Sequence, residues 1–350
     1  MISTLLSRDL PRSTILTLLL VTILVCLAAA PFLFPGVRSL ETAARICIFI
    51  VLVASYDLLL GYGGIVSFAH TMFFGLGAYG VALASTHLGR GYDALLIGAL
   101  LGALGAALLA LLIGLFSLRV RAIFFAMITL AVASAVAVLV SQFSGITGGE
   151  DGLNYSIPRE LTPAFRLGEV FGVKINGKLL NYYLIFFASL ALFLILLRVV
   201  NSPFGRVLQA IRENDFRAEA IGYKVVWYRT AATCLSAAIA ALAGSLFAIW
   251  LRYVGPDTTL SFTIMLDILL MVVIGGMGTM YGAVIGATIF VLAQNYLQNL
   301  MGAASDATAM IPVLPQLLDP DRWLLWLGVL FILSVYFFPS GIVGRLRAGR

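Results

Sequence analysis

The chain has 350 residues, of which 61% are hydrophobic and only 11% are charged, and its formal net charge at neutral pH is +6. Its mean hydropathy of +1.06 lies far above the range of soluble proteins. These values exclude a soluble globular domain. They indicate a polytopic membrane protein.

Apolar stretches long enough to cross a bilayer as helices, which takes roughly 20 residues each, follow one another along the chain. They lie at 14–34, 44–60, 65–86, 93–117, 120–143, 181–199, 230–251, 262–281, 283–300 and 323–339. We therefore predict an all-α, polytopic inner-membrane helical bundle of about ten transmembrane helices, forming one domain over residues 1–350. The count could fall to eight or nine, because the glycine-rich regions near Gly61 and Gly282 could hold broken or re-entrant helices.

The first apolar stretch has some features of a cleaved signal peptide. Arg8 and Arg12 precede it, and it ends in three alanines at 28–30. The stretch is too long for the apolar region of a signal peptide, and Pro31 follows the possible cleavage point directly. We expect a retained membrane anchor.

Lysine and arginine in the connecting segments predict the orientation, because they concentrate on the cytoplasmic side. With the N-terminus inside, thirteen of the 22 basic residues, including Arg119 and Arg121, fall on that side. Both termini and the segment 201–229, called here the charged loop, are then cytoplasmic. The segment 144–181, called here the outer loop, is periplasmic. The positive net charge follows from this topology, and no basic stripe with aromatic residues predicts a nucleic-acid partner.

Residues that could carry catalysis or hold a metal are sparse. Cys26, Cys47 and Cys234 lie in apolar stretches and are odd in number, which argues against a disulfide framework. His70 and His87 have no ligand at metal-binding spacing, and no catalytic triad or carboxylate pair stands out. We predict a protein without a catalytic site, a metal site or a bound cofactor.

One segment matches the glycine and lysine positions of a phosphate-binding loop, at 172–179. Leu179 replaces the serine or threonine that would hold magnesium, and no buried strand precedes the segment. The match is coincidental. Any ATP that drives this protein must bind a different subunit.

The charged loop has the pattern of two short helices near the membrane surface. Ser202 is a suitable N-cap with Pro203 at the first helical position. Asn214 or Asp215 could cap a second short helix, and Gly222 suits the position after its end. An interfacial helix lying on lipid headgroups is the alternative, but the mixture of arginines with acidic residues favours docking into a protein groove.

Four blocks, in chain order, resemble the permease subunits of bacterial branched-chain amino-acid ABC importers. They are a glycine-rich early span at 56–70 with 73–79, an outer-loop motif at 147–153, the charged loop at 202–222 followed by 237–244, and a late glycine-rich span at 269–279 with 281–287. Ala283 departs from the pattern, where proline is expected. The blocks run in this order from about Leu58 to Ala287, a range that includes most of the chain.

The resemblance implies an inner-membrane permease subunit, not an enzyme, that passes branched-chain or similar small amino acids from periplasm to cytoplasm. It implies a second permease subunit as a heterodimer partner, two cytoplasmic ATPase subunits that hold ATP and magnesium, and a periplasmic substrate-binding protein. Urea or short amides remain alternative solutes.

In that family the charged loop is similar in role to the coupling helix of other ABC importers, which seats in the ATPase subunit. Phe204 and Leu208 are then expected as apolar anchors, with the charged side chains as polar contacts. The predicted coupling residues are Phe204, Gly205, Arg206, Leu208, Arg212, Glu213, Asp215 and Gly222.

Two glycine clusters interrupt apolar spans in separate halves of the chain. Interruptions at corresponding positions point to a transport pathway, although glycines also allow helices to pack closely in lipid. Both explanations stand. The candidate path residues are Gly61, Gly63, Gly64, Ser67, His70, Gly275, Gly276 and Gly278.

Asp57 and Asp267 lie within apolar spans, where an unpaired charge is costly. They could hydrogen-bond neighbouring helices or pair with an arginine. They could also relay protons, as in a proton-coupled secondary transporter, which is the rival interpretation. Their positions near span ends disfavour a relay at the membrane midplane.

The outer loop is too long for a simple connection. We expect either a folded cap that receives the binding protein or a solvated turn without a role. The candidate docking residues are Gly148, Gly149, Glu150 and Asp151.

Overall fold

The computed structural model describes residues 13–33, 36–117, 122–170, 173–307, 319–337 and 341–348. Five arginines that support the predicted orientation, Arg8, Arg12, Arg119, Arg121 and Arg350, lie outside these ranges. The ends of three predicted spans, at residue 34, residues 120–121 and residues 338–339, also lie outside them.

Helices make up most of the described chain. They are α1 (Thr14–Ala28), α2 (Val37–Asp57), α3 (His70–Leu88), α4 (Tyr92–Ser117), α5 (Ala122–Gln142), α6 (Gly177–Val200), α7 (Pro203–Glu213), α8 (Asp215–Ala220), α9 (Val225–Leu251), α10 (Phe262–Gly275), α11 (Met280–Ala307), α12 (Trp323–Phe337) and α13 (Gly341–Ala348). A π-helical turn, Leu58–Tyr62, continues α2. Single α-turns occur at Ala30–Leu33, Ser144–Thr147 and Pro256–Thr259.

Seven helices of the described residues are long and apolar enough to cross a membrane. They are α2 with its π-helical turn, α4, α5, α6, α9, α10 with the turn before it, and α11. The all-α polytopic class is confirmed, but the count of about ten transmembrane helices is not. Helices α1, α3 and α12 occupy the other three predicted spans without belonging to the seven.

Two predicted spans differ from the helices that form. The span predicted from residue 65 begins as a helix only at His70, and the span predicted through residue 281 ends at Gly275. Gly64 has φ +66°, Gly276 has φ +117° and Gly278 has φ +77°. These values lie outside the right-handed helical region, so each segment must break there. The second break precedes Gly282, the position near which it was expected.

The most buried membrane helices are α2 and α9, and α3 packs beside α9. Close approach depends on glycines: a Cβ atom at Gly77 of α3 would overlap the backbone of Ala241 in α9. A Cβ atom at Gly244 of α9 would likewise overlap the backbone of Phe74. Small residues at helix crossings are the usual means of packing in lipid, where van der Waals contact replaces the hydrophobic effect. Helix α5, by contrast, is the least buried of the seven.

Short strands occur between and beside the helices. In the outer loop, β2 (Arg166–Val170) pairs antiparallel with β3 (Val173–Asn176). A second pair joins β1 (Leu153–Asn154) to β4 (Tyr253–Val254), which directly follows α9. The outer loop is therefore tied to the end of a central helix.

We expect Gly77→Val to prevent α3 and α9 from packing, because the added side chain meets backbone atoms that cannot move aside. The cost should be at least about 1–3 kcal/mol, measured as a lower unfolding temperature and a smaller monodisperse fraction in detergent. Gly105→Val in α4 is the matched control, since no atom lies within 4 Å of a Cβ there. Equal losses in both variants would contradict the packing explanation.

Candidate functional site

The charged loop folds as the two short helices α7 and α8, capped as its sequence predicts. Ser202 accepts a hydrogen bond from the Gly205 N–H (3.5 Å), with Pro203 at the helix start. Asn214 accepts one from the Arg217 N–H (2.8 Å) and so caps α8. Gly222 follows with φ +99°. These local interactions fix the loop without help from a partner.

The apolar face of α7 packs inward, against the chain itself. Leu208 and Ile211 are 0% and 1% exposed. Phe204 stacks on Tyr228 with 5.9 Å between ring centroids. Gly205 is also buried, because α7 passes close to the backbone of Val200. Phe204 and Leu208, which we expected as anchors toward an ATPase, instead hold the loop on its own transmembrane helices.

A different set of apolar side chains on the charged loop is exposed. Phe216 is 83% exposed, Ile221 70% and Trp227 61%. Arg206 and Glu213 are exposed as well, whereas Asp215 forms an ion pair with Arg229 (3.5 Å). Phe216 is not among the coupling residues predicted from the sequence. The sequence does mark this residue, because it is a single large apolar side chain among charged neighbours. Such a segment cannot form a buried apolar face, so the side chain is expected to be exposed.

Arg212 links the charged loop to the helix breaks. Its guanidinium Nη1 donates a hydrogen bond to the backbone oxygen of Gly61, in the π-helical turn. The stem of the same side chain lies against Gly64, where a Cβ atom would come within 3.0 Å of the Arg212 Cγ. We expected Arg212 to face a partner protein. Its guanidinium reaches into the chain, where glycines leave room for it.

Asp57 connects the helix break after α10 to the break after the π-helical turn. Its Oδ1 accepts a hydrogen bond from the Gly278 N–H (2.8 Å), and the residue is 1% exposed. The positive charge of Arg212 attracts the same carboxylate. A Cβ atom at Gly61 would collide with both Asp57 and the Gly278 backbone. We call this cluster of Asp57, Gly61, Arg212 and Gly278 the glycine junction.

The remaining glycines of the two clusters lie around this junction. Gly63 is buried and its N–H bonds the carbonyls of the π-helical turn (3.1 Å). Gly275 and Gly276 are buried at the end of α10, against the backbones of α11 and of Gly341, respectively. The structure thus brings the two glycine clusters together.

Ser67 and His70, also expected on the path, are buried in helix packing. His70 is 0% exposed, and its Nε2 lies 3.0 Å from Ser55 Oγ and 3.4 Å from Ser236 Oγ. Ser236 in turn donates to the Ser55 carbonyl (2.5 Å). This polar contact ties α2, α3 and α9 to one another.

An open groove of about 470 Å³ lies beside these residues, between α5 and the start of α10. We call it the α5–α10 groove. Both apolar and polar side chains line it. Its lining is Phe68, Thr71, Leu130, Ala133, Ser134, Ala137, Val138, Ser141, Gln142, Glu150, Pro256, Asp257, Leu260, Ser261 and Phe262.

None of the predicted path residues lines the α5–α10 groove, although Phe68 and Thr71 adjoin Ser67 and His70. The spacing of two serines in the sequence does indicate the polar face of α5 that lines the groove. Ser134 and Ser141 are seven residues apart, so they share one face of α5, the face that lines the groove. Phe68 and Phe262 approach to 6.2 Å between ring centroids in its wall.

The outer loop begins with a tight turn that glycines permit. Gly148 and Gly149 have φ +76° and +62°, and Tyr253 donates to the Asp151 carbonyl (3.2 Å). Glu150 and Asp151 are exposed, and Glu150 also lines the α5–α10 groove. Beyond the turn, burial raises the pKa of the Tyr155 phenol.

Comparison with known proteins agrees with this arrangement. Residues 39–335 match the family described as branched-chain amino acid transport system / permease component. The chain belongs to this family. It is therefore a transport subunit of the membrane-permease class and not an enzyme. Among the described residues, no cluster of three or more His, Cys, Asp or Glu is placed to hold a metal ion.

Individual relatives of the permease carry related names. It is 27% identical to the high-affinity branched-chain amino acid transport system permease protein LivM of Salmonella typhimurium, over 94% of this chain and 75% of the relative. The Escherichia coli K12 protein of the same name is 26% identical over the same shares. A probable LivM permease of Methanocaldococcus jannaschii is 30% identical over 61% of this chain and 58% of its own length. No solved structure matches the permease.

We expect Asp57→Ala to destabilise the permease by roughly 1–3 kcal/mol, because the partly buried Gly278 N–H loses its acceptor. Asp57→Asn is the matched control, since its amide oxygen can still accept that hydrogen bond. Unfolding of the purified chain in a denaturant series measures both. If Asn costs as much as Ala, the charge of Asp57 rather than its hydrogen bond holds the glycine junction.

Proposed function

We propose that the permease is the membrane subunit of an ATP-driven importer that carries branched-chain amino acids from periplasm to cytoplasm. The names of its relatives support the solute class. The structural observation that carries the proposal is the glycine junction, where Arg212 of the charged loop bonds Gly61 at the first helix break and lies next to Gly278 at the second. A secondary transporter would not need such a loop.

The proposed assembly contains a second permease subunit, two cytoplasmic ATPase subunits and a periplasmic binding protein in a bacterial inner membrane. ATP and magnesium bind the ATPase subunits and not this chain. The charged loop faces the cytoplasm together with both termini, and the outer loop faces the periplasm. The distribution of lysine and arginine supports this orientation.

The α5–α10 groove is the proposed path of the solute. Its phenylalanine, leucine and alanine side chains suit an aliphatic side chain, and its Glu150, Asp257 and Gln142 can hold an ammonium group. Urea has no apolar portion that could contact the phenylalanine, leucine and alanine side chains. The groove therefore favours a branched-chain amino acid over urea.

Coupling requires that the loop bind the ATPase differently in its two nucleotide states. Phe216 and Ile221 are the proposed apolar contacts, with Arg206 and Glu213 as polar ones, because these side chains are exposed. Arg212 is exposed as well, but its guanidinium bonds the Gly61 carbonyl within the chain, so we assign it the coupling to the helix breaks. Motion of α7 would pull on Gly61, and through Asp57 on Gly278, so that both helix breaks respond to one displacement.

The turn at 148–151 is the proposed docking point for the binding protein. Glu150 and Asp151 are exposed there, and the turn is held to the end of α9 by β1–β4 pairing. A docked protein would thus lie next to the α5–α10 groove, to which Glu150 also belongs.

Phe216→Ala should weaken binding of the ATPase subunit. Truncating an exposed aromatic anchor costs about 2–4 kcal/mol, so the affinity should fall by roughly 30-fold or more. Biolayer interferometry between the purified permease and the co-purifying ATPase measures the change. Phe143→Ala is the matched control, because Phe143 is also exposed, at 57%, but lies at the opposite predicted face. An unchanged affinity for Phe216→Ala would remove α8 from the proposed contact.

Transport tests the proposal as a whole. The complex that co-purifies with the tagged chain is reconstituted in proteoliposomes that enclose ATP, with the binding protein outside. We expect leucine to accumulate, urea not to compete, and a protonophore to have no effect. Uptake that needs a proton gradient and no ATP would instead establish a secondary transporter.

Within the same assay, Ser134→Trp should reduce uptake by at least about tenfold, a barrier increase of about 1.4 kcal/mol, because the indole would fill the α5–α10 groove. Ala135→Trp is the control: the residue is exposed on the same helix but does not line the groove. Equal uptake by both variants would place the path elsewhere.

A further inference from the structure

A second cavity, of about 200 Å³, lies where α2 and α6 begin and α9 ends, and Leu161 and Pro163 of the outer loop border it. It shares no lining residue with the α5–α10 groove. We call it the Arg45 cavity. A single water molecule needs about 15 Å³, so the cavity can hold a group several times larger.

Three cations and one carboxylate line the Arg45 cavity. Arg45 belongs to α2, Lys178 belongs to α6, and Arg252 directly follows α9. The Lys178 ammonium pairs with Glu41 (3.2 Å). Arg45 and Arg252 form no ion pair or side-chain hydrogen bond with another described residue. The lining therefore has a net charge of +2, carried by two guanidinium groups without a partner in the described chain.

Arg45 lies within a membrane span and not beside it. It is half-buried and is preceded in α2 by about 12 Å of helix, at 1.5 Å per residue. With its π-helical turn, this span has 26 residues and is about 39 Å long, whereas the hydrocarbon core of a bilayer is about 30 Å thick. An equal overhang at both ends places the Arg45 backbone inside the core. A cation there is unfavourable unless an anion or water meets it.

The other two cations mark the level of the cavity in the membrane. Lys178 is the second residue of α6, and Arg252 is the C-cap of α9. These helices have 24 and 27 residues, so they are about 36 and 40 Å long and their ends reach the headgroup layer. The Lys178 ammonium lies 5.5 Å from the centre of the Trp250 ring, and tryptophan is enriched at this level. The cavity thus lies where lipid phosphates lie.

A phosphate group matches the two free guanidinium groups better than a carboxylate does. Each guanidinium can donate two parallel hydrogen bonds to an oxyanion. A carboxylate has two oxygens, whereas a phosphate has four and can accept from Arg45 and Arg252 on different sides. Backbone hydrogen bonds hold Arg252 at its position: its N–H donates to the Ala248 carbonyl (2.7 Å), and its carbonyl accepts from the Tyr155 N–H (3.4 Å).

We propose that the Arg45 cavity binds a phosphate group, supplied by the headgroup of an anionic phospholipid or by free phosphate. Arg45 and Arg252 donate to its oxygens, and Lys178 adds positive charge while it stays paired with Glu41. Basic pockets between membrane helices are known to suit such headgroups. The bound phosphate would tie α2, α6 and the end of α9 together at one face of the membrane. The proposal is independent of the transported solute.

The test uses the full-length chain in a maltoside detergent, which contains no phosphate. Native mass spectrometry compares binding of dioleoylphosphatidylglycerol with binding of dioleoylglycerol, which has the same acyl chains without the phosphate. Calorimetry compares inorganic phosphate with acetate. We expect the phosphate compound that binds to do so at least about tenfold more tightly than its phosphate-free counterpart, because the counterpart leaves guanidinium groups unpaired.

Variants assign the binding to this cavity. Arg45→Gln and Arg252→Asn should each weaken it by at least about tenfold. Asparagine tolerates the left-handed backbone at position 252, where φ is +60°. Arg38→Gln is the matched control, because Arg38 is an exposed arginine at the same end of α2 that does not line the cavity.

Glu41→Gln should have the opposite effect. It removes the carboxylate that pairs with Lys178 in the lining, so binding should tighten by about threefold at low salt, where such charges are least screened. A damaged fold would weaken binding. Tighter binding in this variant therefore separates the charge of the cavity from a merely structural role.

The two sources of phosphate give different results, and both support the site. Binding of dioleoylphosphatidylglycerol without binding of inorganic phosphate identifies a lipid headgroup as the ligand, and the reverse identifies free phosphate. Three results would overturn the proposal. They are no binding of either compound, binding that survives both Arg45→Gln and Arg252→Asn, and binding of acetate as tight as that of phosphate, which would indicate a site for an acidic side chain of a docked protein.

Discussion

The arrangement of the whole chain depends on the hydrogen bond from the Gly278 N–H to the Asp57 carboxylate. A carboxylate within an apolar span is costly unless polar groups meet it. Backbone that has left the helical conformation has N–H groups in need of acceptors. Asp57 and the break after α10 satisfy each other, and Arg212 adds a positive charge from the loop. Two interruptions that would each be unfavourable in lipid thus become one stable contact.

Composition and hydropathy were sufficient to predict the class of the protein, because a membrane imposes long apolar helices on any sequence that crosses it. Local capping was equally predictable. Ser202, Pro203 and Asn214 act over three or four residues, so their roles can be read without tertiary information. The same holds for the positive φ of Gly222 after α8.

Contacts between distant segments could not be predicted in this way. The stripe of Phe204, Leu208 and Ile211 shows that α7 has one apolar face, but not whether that face meets a partner or the chain itself. Burial of Leu208 gives the answer. Likewise, the sequence marks both glycine clusters without showing that they meet, or that the α5–α10 groove lies beside them and not between them. The roles of these residues in transport remain predictions.

Helix α9 connects the two ends of the molecule without interruption. It begins at Val225, five residues after α8, and ends at Leu251, two residues before β4 pairs with the outer loop. At 1.5 Å per residue, its 27 residues make a rod about 40 Å long. Helix α9 is among the most buried helices and contains no proline, and its Gly244–Ser245 pair, the kind of site at which helices kink, is packed against α3. A displacement at one end of α9 is therefore transmitted to the other end, so that this helix couples the two faces of the protein mechanically.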